Sequence, residues 1–397
     1  MDRLPAPAPA RVLAFGAFLK NAACLLEGDA VRWSPVHGDL GDPAARRGLL
    51  GSVRRLIGQA SGPIGAVAHD LHPDFPSTQL ALEVAQELGV PAIGVQHHVA
   101  HIAAVCAEQG LEGPVIGVAL DGSGLGSDGT AWGGELLALA DGRSGAHRWR
   151  RLAHLPAIRL PGGDLAAREP WRLVAAVLHG QGRAAEIVPR LATAVGEPAA
   201  RTIAAMLDRG LNCPIAFGAG RWFDAAAGAL GLSVRQATEA EAPIALERLA
   251  AGALRADPSI AADPHGLDLP ALVAGLLEVD RSDATAIAQG AARFHLALAE
   301  GLSGTAAAHA SALGIRTAVL SGGCFANTLL RERLRDGLHA RGLAVHTAPT
   351  TRCGDAGLAI GQAWVAACTL SQQPAPRARA ASDRGRPTPH PRLLEHR

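Results

Sequence analysis

Short apolar runs alternate with longer stretches of helical spacing along nearly the whole chain, and that alternation restricts it to an α/β fold. Arg11–Phe18 and Ala23–Leu26 are two apolar runs around Leu19-Lys20-Asn21, which predicts a hairpin after a flexible Pro/Ala leader ending at Ala10. Ala45–Ala60 has helical spacing and Gly65–Ala68 reads as a short buried strand. Ser77 follows Pro76 and is predicted as the N-cap of a helix to Leu88. Pro91–Val95 is a strand, and His97–Glu108 a helix ending at Gly110. Val115–Leu120 is an apolar strand that ends in Asp121 and a glycine-rich turn. From Arg151 to Asp283 the pattern is mixed and mainly helical. Ser282 or Asp283 then starts an Ala-rich helix to Leu313. After it come strand Thr317–Leu320, turn Ser321-Gly322-Gly323, helix Asn327–His339 and strand Leu343–Thr347. A loop through Asp355 and Gly357 leads into helix Leu358–Ala367, and residues 373–397 have the composition of a disordered tail. Each half thus carries a strand running into a glycine-rich turn with polar residues, as two lobes facing one cleft would.

Charge and cysteine content narrow the function. Thirty-seven basic residues against thirty-six acidic ones leave a net charge of +1, which disfavours a nucleic-acid binder. The six cysteines are scattered without a C-x-x-C pair, against both a zinc ribbon and a secreted disulfide framework. No signal peptide or membrane span is legible, so a cytoplasmic location is expected by default. Lys20 is the only lysine; it marks either a place where a compact ammonium matters or a chance survivor of an arginine-biased composition.

The strongest local signal is QHHVAHIAA. His97 and His101 are four residues apart at a helix start, so both imidazoles project from one face, as two metal ligands on one rigid element would. His98 points elsewhere and is read as supporting a ligand or packing. Asp121 in DGSGLGSDG and Asp355 in CGDAG can complete a mixed nitrogen–oxygen site suited to zinc or iron. In SGGCFANTLL the amides of Gly322 and Gly323 are predicted to face phosphates at a helix N-terminus, with the Asn327 amide available to the ligand. There is no Walker A loop, GxGxxG fingerprint or GxSxG elbow. Cys324 and Cys353 flank the site and read as small buried hydrophobes rather than nucleophiles.

The ordered set HDLHP (His69–Pro73), QHHVAHIAA (Gln96–Ala104), LDGSGLGSDGTAWGGELL (Leu120–Leu137), PGGDLAAREPWR (Pro161–Arg172), GRWFDAAAGALG (Gly220–Gly231), SGGCFANTLL (Ser321–Leu330) and CGDAGLAIGQA (Cys353–Ala363) resembles the Kae1-like domain of HypF carbamoyltransferases. AFGAFLKNAACLL (Ala14–Leu26) and HGDL (His37–Leu40) extend the resemblance toward the amino terminus. It implies a bilobal ASKHA fold of the actin, Hsp70 and sugar kinase kind, with duplicated RNase H-like lobes. The lobes are expected at 11–148, with the His pair and first Gly-rich turn, and at 149–372, with a helical insertion and the second Gly-rich turns.

By the same resemblance the metal ligands are His97, His101, Asp121 and Asp355, and Lys20 and Asp121 act in catalysis, Lys20 near the phosphates. Gly122, Gly124, Asp224, Glu239, Gly322, Gly323 and Asn327 are implied to hold ATP, or carbamoyl adenylate with its magnesium. Asp224 and Glu239 are placed near the ribose. The implied reaction starts from carbamoyl phosphate and ATP and passes the carbamoyl group from its adenylate to the C-terminal cysteine of HypE, on the way to the cyanide ligands of [NiFe]-hydrogenase. The acylphosphatase, zinc-finger and YrdC-like modules of full-length HypF have no counterpart in these residues, so transfer is the step implied most directly. Ala240 and Glu241 stand where the family has glycine and then glutamine or glutamate. The rival readings are a tRNA threonylcarbamoyl transferase of the Kae1/TsaD type, a small-molecule kinase, and a catalytically silent ATP-binding scaffold for HypE. No nucleic acid or membrane partner is expected.

Overall fold

A computed structural model describes residues 2–349 and 352–372. The first sheet holds β1 (Asp2–Arg3), β2 (Val12–Ala14), β3 (Cys24–Glu27), β4 (Ala30–Trp33), β5 (Ala66–Asp70) and β6 (Ala92–Val95), in the order β1-β4-β3-β2-β5-β6. β2, β3 and β4 run antiparallel, whereas β5 and β6 lie parallel to β2. The crossovers carry α1 (Pro43–Gly58) and α2 (Pro76–Leu88), and α3 (His97–Gln109) leaves β6.

The second sheet holds β7 (Val115–Leu125), β8 (Ala131–Leu139), β9 (Trp149–His154), β10 (Ile158–Arg159), β11 (Ile215–Ala216), β12 (Thr317–Ser321) and β13 (Ala344–Thr347). Its central order β9-β8-β7-β12-β13 repeats β4-β3-β2-β5-β6, with the same parallel and antiparallel senses. That repetition is the duplicated lobe of an ASKHA fold. Between β10 and β11 lie α4 (Leu165–Arg168), α5 (Pro170–Gly180), α6 (Ile187–Val195) and α7 (Glu197–Arg209). Before β12 come α8 (Ala219–Ala229), α9 (Glu241–Ala256), α10 (Leu269–Leu276) and α11 (Ala284–Leu313); α12 (Thr328–Ala340) precedes β13 and α13 (Leu358–Gln372) closes the described chain.

Apart from its three histidines α3 is apolar as far as Ala107, and that stretch is buried on all sides. It packs between the sheets, against α13 on one side and β7 and β12 on the other. Small residues allow the close approach: a Cβ at Gly361 of α13 would sit 1.8 Å from the Ala100 carbonyl oxygen, and one at Gly117 of β7 2.5 Å from Ile102. The first turn of α3 is thereby held at the junction of the two sheets.

Several sequence expectations are corrected. The strands change sheet between Val95 and Val115, so a division at residues 148 and 149 falls inside the second sheet, after β7 and β8 have already paired. The stretch before Ala10 is not a loose leader: Leu4 N donates to the Asp29 oxygen at 2.8 Å and Ala8 N to that of Gly28 at 2.9 Å. Ser77 is not a cap; Phe75 holds the N-cap position with Pro76 following it, and the Ser77 hydroxyl is buried inside the helix. β7 does not end at Asp121 but continues to Leu125, with its register to β8 shifting between Leu120 and Gly124. The hairpin around Lys20 and the Asp283 cap on α11 form as the sequence predicts. The expected tail, residues 373–397, lies outside the described residues. Among the described residues no helix is long and apolar enough to cross a membrane.

Candidate metal and nucleotide site

His97 opens α3 and His101 follows one turn later, both essentially buried. The Gln96 side chain caps the helix by accepting from Val99 N at 2.9 Å, which fixes where the first turn begins. Asp121 stands in the irregular stretch of β7, where broken pairing frees its carboxylate from the regular alternation of a strand. Asp355 starts the 3-10 turn that leads into α13. His101 Nε2 lies 2.9 Å from Asp121 Oδ2 and 3.6 Å from Asp355 Oδ1. His97 Nε2 is 3.5 and 3.4 Å from the same two oxygens. One ligand atom from each of the four residues falls within 4.8 Å of all the others.

This donor set fits a divalent cation. His97 Nε2 is buried and has no aligned hydrogen-bond partner, although two carboxylates face it. Its other nitrogen, Nδ1, donates to Asp70 Oδ2 at 2.7 Å, which leaves a lone pair on Nε2 for a ligand. The glycines leave room for the cluster. A Cβ at Gly124 would meet the His97 ring at 2.8 Å, and one at Gly323 would meet Asp121 Oδ1 at 2.9 Å.

The electrostatics agree. Burial works against charge on His97, but Asp70, Asp121 and Asp355 outweigh it and hold its pKa well above the ordinary imidazole value. His101 is raised against burial by Asp121 and Asp355. Burial also opposes charge on Asp121 and Asp355, yet the facing imidazoles of His101 and His97 keep both carboxyls acidic. His98 is the opposite case: burial and the neighbouring His97 charge push it well down, so it is neutral. Its Nδ1 is bonded to Gln96 Nε2 at 3.0 Å, consistent with packing and not ligation.

The cleft beside these residues differs from the expected phosphate cradle. Gly322 N donates to the Cys353 oxygen at 2.8 Å, and Gly122 N to its neighbour Asp121 Oδ1 at 2.7 Å, so neither amide is free for an anion. Gly124 is buried under the imidazoles and serves packing. Asn327 is the N-cap of α12, its Oδ1 accepting from Leu330 N at 2.9 Å while Nδ2 donates to His295 Nε2 at 3.0 Å. Burial lowers the His295 pKa to about 4, which keeps that nitrogen a proton acceptor. Glu247 Oε1 already takes Thr328 N at 2.7 Å, placing a negative charge where the sequence suggested a phosphate. Gly323, by contrast, is half-buried against Asp121 and Gly354.

Asp224 is buried on α8, with Oδ1 held by Gln236 Nε2 at 2.8 Å. Burial raises its pKa to about 6, against the pull of Arg221 and the Gln236 bond. Glu239 is exposed and accepts from Lys20 Nζ at 3.1 Å. Burial disfavours the Lys20 charge, but Glu239, Asp355 and Asp121 raise its pKa on balance.

A family model described as HypF Kae1-like domain matches residues 7–108, and one described as carbamoyltransferase, Kae1-like domain, second subdomain, matches 117–362. The chain belongs to the HypF carbamoyltransferase family. The carbamoyltransferase HypF homolog of Cupriavidus necator is 57% identical over 90% of this chain and 92% of that protein. HypF2 of the same organism is 45% identical over 89% of this chain but only 46% of its own length. The crystal structure of T.kodakarensis HypF superposes with a TM-score of 0.79 at 29% identity, over 93% of this chain and 49% of that one. A full-length HypF in phosphate- and nucleotide-bound form gives 0.78 at 29% identity, over 93% and 47%. The chain therefore spans nearly all of the first relative and about half of the other three. The two HypF matches also meet where the strands change sheet.

Sequence reasoning missed three contributors of this HypF-type site. Asp70 sits in the HDLHP motif but touches His97 only because β5 ends beside α3. Arg221 sits within GRWFDAAAGALG, next to Asp224. Gln236 staples Asp224 to the Ala167 carbonyl at 2.8 Å and has no signal of its own in the sequence.

Ala240 takes φ 60 and ψ 17 at the N-cap of α9, a left-handed conformation that costs an L-residue roughly 1–2 kcal/mol. Replacing it with glycine removes that strain at a cost in chain entropy. Ala240→Gly is therefore expected to stabilise the fold by about 0.5–1 kcal/mol, read from the urea midpoint; a lower midpoint would contradict the strain.

Proposed function

We propose that this HypF-family chain transfers a carbamoyl group from carbamoyl adenylate, made from carbamoyl phosphate and ATP, to the C-terminal thiol of a HypE partner. The product serves the synthesis of the cyanide ligands of [NiFe]-hydrogenase. The observation that carries the proposal is the convergence of His97, His101, Asp121 and Asp355 at the cleft, with their ligand atoms within 4.8 Å of one another. A divalent cation held there by His97, His101, Asp121 and Asp355, zinc or iron, would supply Lewis-acid polarisation of a carbonyl or phosphate oxygen.

The chain's own groups hold and orient the substrate. Asp224, with Gln236 fixing one oxygen and Arg221 Nη2 3.0 Å from the other, is the acid assigned to a ribose hydroxyl. Lys20 changes partner from Glu239 to the phosphates, and Glu239 is then free for the sugar. The partner's thiolate attacks the carbamoyl carbon, the carbon–oxygen bond to the phosphate breaks, and AMP leaves with the electron pair. This protein supplies no nucleophile: burial and the Asp121 carboxylate push the Cys324 thiol well up, and burial raises that of Cys353. Magnesium accompanies the nucleotide.

The test is mass spectrometry of HypE after incubation with the chain and carbamoyl adenylate. The expected product is HypE heavier by one carbamoyl group on its terminal cysteine, with stoichiometric AMP. HypE that binds but stays unmodified would favour the scaffold reading and reject transfer.

A further inference from the structure

We infer that Arg221 binds the phosphate of the nucleotide, between the metal-side acids and Asp224; this rests on the nucleotide reading above. Arg221 lies in the first turn of α8, which meets β7 backbone to backbone. A Cβ at Gly218 would sit 2.2 Å from the Gly122 carbonyl oxygen, and one at Gly220 3.0 Å from the Gly122 Cα. That contact sets the arginine beside Gly122, the residue after Asp121: its Nη2 is 3.6 Å from where a Gly122 Cβ would stand. On its other side Nη2 lies 3.0 Å from Asp224 Oδ2. The guanidinium thus occupies the interval between the cation ligand Asp121 and the ribose-side Asp224. A phosphate joining a ribose to a reacting group at the cation must cross that interval.

The arginine also has donors to spare. Its side chain is only 17% exposed, yet Nε is buried without a partner. Asp224 Oδ2, although near, is likewise unaligned for a hydrogen bond, so the two do not form a closed fork. A buried guanidinium with an unspent N–H is costly unless a ligand takes it. Three of the rival anion donors are committed: Gly322 N to Cys353, Gly122 N to Asp121, and Thr328 N to Glu247. Lys20 is 58% exposed on the opposite lobe and paired with Glu239, placed to close over a phosphate and not to seat it.

The experiment is calorimetric titration of the full chain with AMP and with adenosine, for the wild type, Arg221→Gln and Arg221→Lys. Metal content serves as the folding control, since Arg221 is not a ligand. The wild type is expected to bind AMP more tightly than adenosine. Arg221→Gln should weaken AMP roughly 10- to 100-fold, the worth of a charged hydrogen bond, and leave adenosine unchanged. Arg221→Lys should recover part of the AMP affinity. An equal loss for both ligands, or no loss for either, overturns the assignment while leaving the nucleotide reading intact. A wild type that binds neither ligand rejects the nucleotide reading itself, and the assignment with it.

Discussion

His101→Ala is expected to empty the cation site and abolish carbamoyl transfer while leaving the fold in place. The imidazole supplies one of the four converging ligand atoms and is the one bonded directly to Asp121, at 2.9 Å. Without it the remaining donors present two carboxylates and one histidine, with nothing between the acids on the His101 side. Lewis-acid stabilisation of a transition state is worth several kcal/mol, so the transfer rate should fall by roughly 10³-fold or more. The fold survives because the site opens to the cleft, with Asp121 and Asp355 side chains 15% and 21% exposed, so water can fill the gap. Metal content after gel filtration and the thermal midpoint separate the two effects. A variant that still carried one cation per chain would remove His101 from the ligand set. The wild-type protein adds a pH signature. The carboxylates raise the pKa of both His97 and His101, so protons compete with the cation over a wider range than for free imidazole. Affinity must therefore rise with pH until both imidazoles are neutral, with protons released on binding.

How much of this was legible in the sequence depends on the range of the interaction concerned. The histidine pair was, because i and i+4 on one helix is local geometry and the Gln96 cap begins the helix at His97. Asp121 and Asp355 were found by their glycine-rich settings, although the reason for Asp121 was different: the strand runs on, and an irregularity in its pairing turns the acid out. The phosphate cradle failed for a non-local reason. A Gly-Gly turn before a helix is an anion site only while its amides are free, and here Glu247, 81 residues from Thr328 in sequence, occupies the helix end. Asn327 was correctly placed near the helix start, but its amide is spent on the cap and on His295. The lobe division was missed because the buried helix α3 joins the two sheets, packed on β7 and β12 of the second and on α13, which carries the first, so nothing in the composition near Val115 marks the change. Arg221 was invisible as a ligand because its significance lies in what fails to meet it.

Asp70→Asn tests the least conspicuous of these long-range contacts, and it is expected to cost about 10- to 100-fold in cation affinity with little change of shape. Asp70 is fully buried at the end of β5; Oδ1 accepts from His72 N at 3.0 Å and Oδ2 from His97 Nδ1 at 2.7 Å. The second bond requires the proton on Nδ1, and so forces the lone pair of His97 onto Nε2, toward Asp121 and Asp355. Asparagine has nearly the same outline. If its oxygen keeps the His72 amide, its NH2 group faces Nδ1 and donates to it. His97 then takes the other tautomer, with the proton on Nε2, where a cation cannot bind. If the amide turns over, the His72 N–H loses its acceptor instead, and that conflict disfavours the rescue. The change should appear as weaker uptake in a competition titration against a chromophoric chelator, with the transfer rate recovering as the metal concentration is raised. His101→Ala should show no such recovery, because there a ligand is gone and not merely turned. Wild-type affinity in Asp70→Asn would mean that packing alone orients the His97 ring.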